Sequence, residues 1–211
     1  EGVEHLHGAT HTVGPDHIEM GSFVAASAAT GGELAIQNMP VCGALEVVER
    51  SFEKIGVSLK SESDQVVLSP RQKLRIRRDA GQSVPKIEDG PWPAFPSDLM
   101  SVAIVLASQA KGTILFFEKM FESRMYFVDR LIEMGAHIIQ CDPHRVIVTG
   151  PAKLRGTHLT SPDIRAGMAV LVAALCAKGE STIENAQMID RGYERIEERL
   201  RALGADIVRE E

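Results

Sequence analysis

A threefold internal repeat is the feature of this sequence that most constrains its fold. Asp16, Asp98 and Asp163 each follow a proline within two residues and precede a run of small and aliphatic residues that closes at glycine. These runs cover residues 23–29, 102–110 and 166–177. From aspartate to the closing glycine the distance is 16, 14 and 16 residues. Such a regular recurrence predicts one supersecondary unit that is used three times.

Each repeat continues with a short strand pattern and then an amphipathic helix. The strand patterns are residues 33–37, 113–117 and 181–184. Leu45, Val48 and Phe52 have a spacing that puts apolar residues on one face of a helix. Similar apolar sets follow in the other two repeats: Phe127, Leu131 and Met134, and Tyr193, Ile196, Leu200 and Leu203.

Glycine ends each of these second helices, and another strand pattern follows. Gly56, Gly135 and Gly204 stand where a left-handed residue terminates a helix. The strands that follow are predicted at 57–59, 136–139 and 205–208, with further strands at 65–68 and 145–148 in the first two repeats.

The pattern predicts an α/β (α+β) fold built from three helix–strand–helix–strand units. We expect the units at about residues 2–70, 71–149 and 150–211, with residues 71–91 as a long connection. The first helix of each unit is apolar nearly all round and should be buried, whereas the second should be exposed on one face. The third unit lacks its last strand, which we expect a segment N-terminal to Glu1 to supply.

Composition limits the classes of function. The chain is 44% hydrophobic and 25% charged, which is typical of a folded domain. A net charge of −6 disfavours nucleic acid as a partner, because phosphate backbones bind basic surfaces. The longest apolar run, from Ala166 to Ala177, is too short to cross a membrane. Three widely spaced cysteines indicate a reducing, cytoplasmic setting, and the start at Glu1 suggests a fragment.

Arginines near helix N-termini are the residues that point to chemistry. The three aspartates can be explained as helix caps, since a cap carboxylate accepts backbone N–H bonds. Arg124, Arg165 and Arg191 oppose the helix dipole, however, and the placement recurs in two repeats. If the helix N-termini meet at one end, these arginines line a cleft for a phosphorylated or carboxylated ligand. A solvated rim of charges is the alternative.

Other candidate sites are weaker. His5, His7 and His11 lack the carboxylate or cysteine that would complete a metal site, so we expect them on an exposed strand and predict no metal. Gly31 and Gly32 form a turn pattern rather than a phosphate-binding loop.

Four motifs resemble the enolpyruvyl transferase family, and the resemblance covers nearly the whole chain. The motifs are Pro93-Ala94-Phe95-Pro96-Ser97-Asp98, Phe121-Glu122-Ser123-Arg124, Asp163-Ile164-Arg165-Ala166 and the run from Ile189 to Ile196. Members of this family consist of two inside-out α/β barrels, each with three units. The resemblance therefore implies that residues 1–211 are one catalytic barrel domain, without its N-terminal partner domain.

The resemblance also implies an activity and its substrates. Phosphoenolpyruvate and UDP-N-acetylglucosamine are expected to bind between the two domains, for peptidoglycan precursor synthesis, with no cofactor. Asp98, Asp163 and Arg165 match catalytic positions of the family, with Asp98 as the base. The implied substrate-binding residues are Ser97, Met120, Phe121, Glu122, Arg124 and Arg191. A lysine, a mobile-loop cysteine and a further arginine of the family belong to the other half, so this chain alone should be inactive.

Departures from the family pattern leave two alternatives open. Trp92 stands where histidine is usual, and His17 stands where arginine is usual. Ser123 and the pair Gln187-Met188 also differ. These changes allow transfer to a different nucleotide or sugar hydroxyl. A non-catalytic nucleotide-sugar-binding module with the same fold is the second alternative, and the intact Asp98 argues against it.

Overall fold

Three apolar helices contact one another at the centre of the molecule. The computed structural model describes residues 2–40, 42–62 and 64–210. The central helices are α1 (His17–Thr30), α3 (Met100–Ser108) and α5 (Ile164–Cys176). Every residue of α3 is buried, and α1 and α5 are buried along most of their length. The prediction of three buried first helices is therefore confirmed.

The strands form three separate sheets among the described residues. The strands of the first sheet follow α1 in the chain, whereas the second and third sheets each combine one strand before α3 or α5 with one or more strands after it. The first has the order β1 (Leu34–Ile36), β3 (Gln65–Leu68), β2 (Leu59–Glu62), all antiparallel. The second has the order β4 (Lys86–Glu88), β5 (Gly112–Phe117), β7 (Arg145–Gly150), β6 (His137–Asp142). The third pairs β8 (His158–Thr160) with β9 (Thr182–Glu184) in parallel.

Shorter helices follow in each repeat. They are α2 (Gly43–Glu53), α4 (Val128–Glu133), α6 (Gln187–Asp190) and α7 (Ile196–Ala202). Leu45, Val48 and Phe52 form the buried face of α2, as predicted. Gly56, Gly135 and Gly204 all have positive φ angles, which confirms the predicted glycine ends. In the third repeat Leu203 is exposed, so it does not belong to the buried face as predicted.

Three local predictions are wrong. Residues 205–208 form no strand, because the equivalent strands β2 and β6 pair with the strand that follows them and the described residues contain no such partner here. The segment with His5, His7 and His11 is exposed but contains no strand. The connection at 71–91 contains β4, which pairs in parallel with β5. Within the described ranges, no helix is long and apolar enough to span a membrane.

Candidate active site

Asp98 lies between two arginines that come from different parts of the chain. The Nη1 atom of Arg124 is 2.9 Å from Oδ1 of Asp98, and the Nη2 atom of Arg165 is 3.0 Å from Oδ2. Asp98 sits in a 3-10 turn, Ser97–Leu99, just before α3. Arg165 is in the first turn of α5, and Arg124 follows β5. Two of the three arginines that the sequence singled out thus contact one of the repeated aspartates.

The site can receive an anion and can hold a hydroxyl group. Two guanidinium groups around one carboxylate leave a net positive charge, and guanidinium groups bind phosphate and carboxylate well. Each carboxylate oxygen of Asp98 keeps acceptor capacity beyond its arginine contact. The side chain of Asp98 is 37% exposed, so an approaching ligand can reach it.

A buried tyrosine supports Arg165. The hydroxyl of Tyr193 lies 3.4 Å from Nη1 of Arg165 and 2.7 Å from Oγ of Ser22 in α1. Burial raises the pKa of Tyr193, so its hydroxyl keeps a proton for hydrogen bonding. Tyr193 thereby connects the two central helices that carry Ser22 and Arg165.

Asp163 is the N-cap residue of α5, and Arg191 precedes Gly192, whose Cβ position adjoins the first turn of the same helix. The Asp163 carboxylate caps α5 by accepting the N–H bonds of Arg165 and Ala166, at 2.7 and 2.9 Å. Arg191 is exposed and follows α6 directly. A Cβ atom added to Gly192 would lie 2.6 Å from the Cγ2 atom of Ile164, so this glycine permits the close approach of the Arg191 turn to α5. Of the three repeated aspartates, Asp16 also caps its helix, whereas Asp98 does not.

An exposed turn at residues 119–122, which we call the β5 turn, borders the ion pairs. Met120 is 45% exposed and Phe121 is 49% exposed, and Glu122 also faces solvent. The guanidinium carbon of Arg124 lies 4.5 Å from the centroid of the Phe121 ring. Such a cation–π contact helps to hold Arg124 beside Asp98.

Two buried carboxyl groups beneath this turn were missed by the sequence analysis. Asp89 is 1% exposed and Glu118 is fully buried. Ser97 donates its hydroxyl to Glu118, at 2.8 Å from Oε2, so this side chain points away from the cleft. Burial and the neighbouring Asp89 raise the pKa of Glu118 to about 7. Each residue directly follows one of two adjacent parallel strands, and no pattern in the sequence indicates the first of these strands, β4.

Two of the residues that depart from the family pattern share a small surface pocket. Trp92 and His17 line a depression of about 260 Å³ together with Val47 and Pro96. Trp92 is 65% exposed and covers Gly43 at the start of α2. Pro96, which lines the pocket, stands two residues before Asp98 in the sequence.

The fold combines helices and strands around a charged site, and comparison with known proteins identifies the family of this chain. Residues 1–200 match the family model of EPSP synthase (3-phosphoshikimate 1-carboxyvinyltransferase). The chain therefore belongs to the EPSP synthase family.

Two relatives share about half of their aligned residues or more with this chain. The UDP-N-acetylglucosamine 1-carboxyvinyltransferase of Bradyrhizobium diazoefficiens is 57% identical over 95% of this chain. The enzyme of the same name from Treponema pallidum is 51% identical over 100% of it. These alignments cover 46% and 49% of the two relatives, so the chain spans about half the length of the curated relatives it matches.

Solved structures agree with the observed mixture of helices and strands. The enolpyruvyl transferase NikO from Streptomyces tendae has a TM-score of 0.79 and 26% identity, over 93% of this chain and 44% of that chain. An EPSP synthase from Acinetobacter baumannii has a TM-score of 0.66 at 18% identity, over 95% of this chain and 45% of its own, which supports the fold.

Proposed function

We propose that this chain forms half of the active site of an enolpyruvyl transferase. The reaction transfers the enolpyruvyl group of phosphoenolpyruvate to the 3-hydroxyl of UDP-N-acetylglucosamine and releases phosphate, as a step of peptidoglycan precursor synthesis. The observation that carries the proposal is the contact of the partly exposed Asp98 with both Arg124 and Arg165.

Asp98 serves as the base in this proposal. Protonation of C3 of phosphoenolpyruvate develops positive charge at C2, and the sugar 3-hydroxyl attacks C2 while Asp98 accepts the hydroxyl proton. The tetrahedral ketal that results then loses a C3 proton and expels phosphate. A carboxylate is a weak base for an alcohol, so proton transfer to Asp98 has to accompany the attack on C2.

The arginines supply the positive charge that phosphoenolpyruvate requires. Arg165 and Arg124 are held at Asp98, and Arg191 is exposed beside the first turn of α5. We assign Arg191 to the binding of phosphoenolpyruvate and the pair Asp163 and Arg165 to the surroundings of the reacting carbon. Guanidinium groups suit both the phosphate and the carboxylate of this substrate.

The β5 turn is assigned to the nucleotide sugar. Met120 and Phe121 are apolar yet half exposed, which suits contact with a sugar nucleotide, and Glu122 lies beside them. The hydroxyl of Ser97 is already bonded to Glu118. We therefore assign Ser97 to this side of the cleft through its position next to Asp98 and not through its hydroxyl.

The rest of the active site belongs to a second domain in this proposal. Residues 1–211 are one catalytic domain whose three units form an inside-out barrel, and an N-terminal half of the same enzyme closes the cleft. Relatives about twice as long as this chain support this arrangement. We place the activity in the cytoplasm, where both substrates are made, and the free thiols of Cys42, Cys141 and Cys176 are consistent with that compartment.

Product analysis tests the proposal. The complete protein is incubated with phosphoenolpyruvate and UDP-N-acetylglucosamine, and mass spectrometry is used to detect the carboxyvinyl ether of the nucleotide sugar. The ether should form only when both substrates are present. Turnover with another nucleotide or sugar hydroxyl alone would instead support an altered acceptor, for which Trp92 and His17 are the candidate determinants. Binding of both substrates without any product would identify a non-catalytic module.

A further inference from the structure

Two acidic side chains lie buried side by side at the ends of adjacent strands. Strands β4 and β5 are parallel and pair Glu88 with Phe117, so the next residues, Asp89 and Glu118, are neighbours. Both are almost completely excluded from solvent. Burial of two carboxyl groups is costly unless they are well hydrogen-bonded or share a proton, so their environment needs an explanation.

Hydrogen bonds from backbone N–H groups explain how the two carboxyl groups can be buried. Glu118 Oε1 accepts the N–H groups of Met120 and Phe121, each at 3.1 Å. Asp89 accepts the N–H groups of Lys119 and Met120. Three consecutive amides of the β5 turn thus end on this carboxyl pair.

Glu118 also reaches the segment that carries Asp98. The hydroxyl of Ser97, the residue before Asp98, donates to both carboxyl oxygens of Glu118 at 2.9 and 2.8 Å. On the other side, Phe121 packs against Arg124, which is bonded to Asp98. One buried side chain therefore contacts both segments whose charged residues meet in the cleft.

We propose that Glu118, paired with Asp89, is a positioning residue that fixes the β5 turn relative to Asp98 and so sets the acceptor side of the active site. This inference rests on the proposed transferase function. Glu118 does not touch substrate in this account, and it acts through the backbone of Met120 and Phe121 and through Ser97.

The protonation of the pair gives this role a distinctive pH dependence. With a pKa of about 7, Glu118 holds a proton in acidic solution and loses it around neutral pH. Lys119 binds Glu88, and the Nδ1 atom of His144 lies 2.9 Å from the backbone oxygen of Glu118. Among the described residues, Asp98 and Arg124 are further charged groups near the pair, reached through Ser97 and Phe121. Above neutral pH, two adjacent negative charges should loosen the turn.

Three variants of the complete protein test the role of Glu118. Glu118→Gln keeps an acceptor for the backbone N–H groups and offers an amide donor to Asp89, whereas Glu118→Ala removes both. Glu133→Gln is the matched control, since this residue of α4 is exposed and pairs with Arg130 on the same helix. We expect Glu118→Ala to raise KM for the nucleotide sugar about tenfold or more, because a lost buried hydrogen-bond partner typically costs that much. KM for phosphoenolpyruvate should change less.

Rescue by glutamine separates positioning from general packing. Glu118→Gln should keep KM for the nucleotide sugar within about threefold of the parent value. In Glu118→Gln, KM for the nucleotide sugar should also stay constant above pH 7, whereas in the parent protein it should rise. Equal losses in Glu118→Gln and Glu118→Ala, or no loss in either, would overturn the inference.

Amide exchange provides a readout that does not depend on turnover. The amides of Met120 and Phe121 should exchange with solvent about tenfold faster in Glu118→Ala than in the parent or in Glu118→Gln. If Glu118→Ala does not fold, Asp89→Ala replaces it, with faster exchange expected at Lys119 and Met120. Unchanged exchange in the folded variants would contradict the positioning role. Altered exchange in a protein without transferase activity would instead contradict only the proposed function.

Discussion

Arg165 reaches across from the third repeat to Asp98 of the second, and its Nη2 atom lies 3.0 Å from the Oδ2 atom of that aspartate. The contact joins the N-terminal ends of two central helices, α3 and α5, which pack against each other. Because the helices are related by the repeat, their N-termini lie together, and the residues near them form one site.

Tyr193→Phe tests the support of Arg165. The change removes only the hydroxyl that contacts Ser22 and Arg165, so the ring remains packed. We expect the free energy of unfolding to fall by about 1 kcal/mol, the usual net value of a buried hydrogen bond. Urea-induced unfolding of the complete protein measures this change. Tyr126→Phe is the control, since Tyr126 is 59% exposed, and an equal effect in both variants would refute the role of the Tyr193 hydroxyl.

Arg191→Ala tests the assignment of this residue to phosphoenolpyruvate. We expect KM for phosphoenolpyruvate to rise at least about tenfold, because a charge-assisted hydrogen bond contributes about 1.5–3 kcal/mol. Steady-state kinetics with varied phosphoenolpyruvate measure the effect. Arg50→Ala is a suitable control, since Arg50 is exposed on α2 and contacts Glu46 on the same helix. Unchanged KM and kcat in Arg191→Ala would remove Arg191 from the site.

Glu118→Gln should change how stability depends on pH. The folded protein raises the pKa of Glu118 from 4.5 to about 7, so the protonated form is favoured by folding. The stabilisation that protonated Glu118 contributes is complete below pH 4.5 and is lost as the pH rises through about 7. The parent should therefore lose about 3 kcal/mol relative to the glutamine variant over this range. Urea unfolding at several pH values tests this, and parallel curves for the two proteins would contradict it.

Gly150→Ala tests the close packing of β7 against the end of α3. A Cβ atom at Gly150 would lie 2.4 Å from the backbone oxygen of Ala110 and 2.7 Å from that of Ser108. Neither backbone oxygen can move easily, so we expect a loss of at least about 2 kcal/mol in the free energy of unfolding. Gly8→Ala is the control because nothing lies within 4 Å of its Cβ position. Similar stability of the two variants would show that the contact is not tight.

The repeat was readable from the sequence because local patterns determine it. The apolar runs predicted the central helices, and the recurring glycines predicted where the second helices end. Residues 205–208 show the limit of this reasoning, since a strand depends on a partner that its own residues do not specify.

The charged site was predictable only in part. The recurring arginines indicated an anion site, and the structure brings Arg124 and Arg165 to Asp98. The pair of Asp89 and Glu118 was missed because β4 has only three residues and lies in a segment rich in charge, glycine and proline. Without that strand, nothing in the sequence places Asp89 beside a residue 29 positions further along.

The rate of phosphate release by Asp98→Ala tests the central claim most directly. The complete protein, supplied with phosphoenolpyruvate and UDP-N-acetylglucosamine, should release phosphate only in the presence of both substrates. Asp98→Ala should abolish this release, while its circular dichroism spectrum remains that of the parent protein. Near-normal phosphate release by a folded Asp98→Ala variant would contradict the assignment of Asp98 as the base.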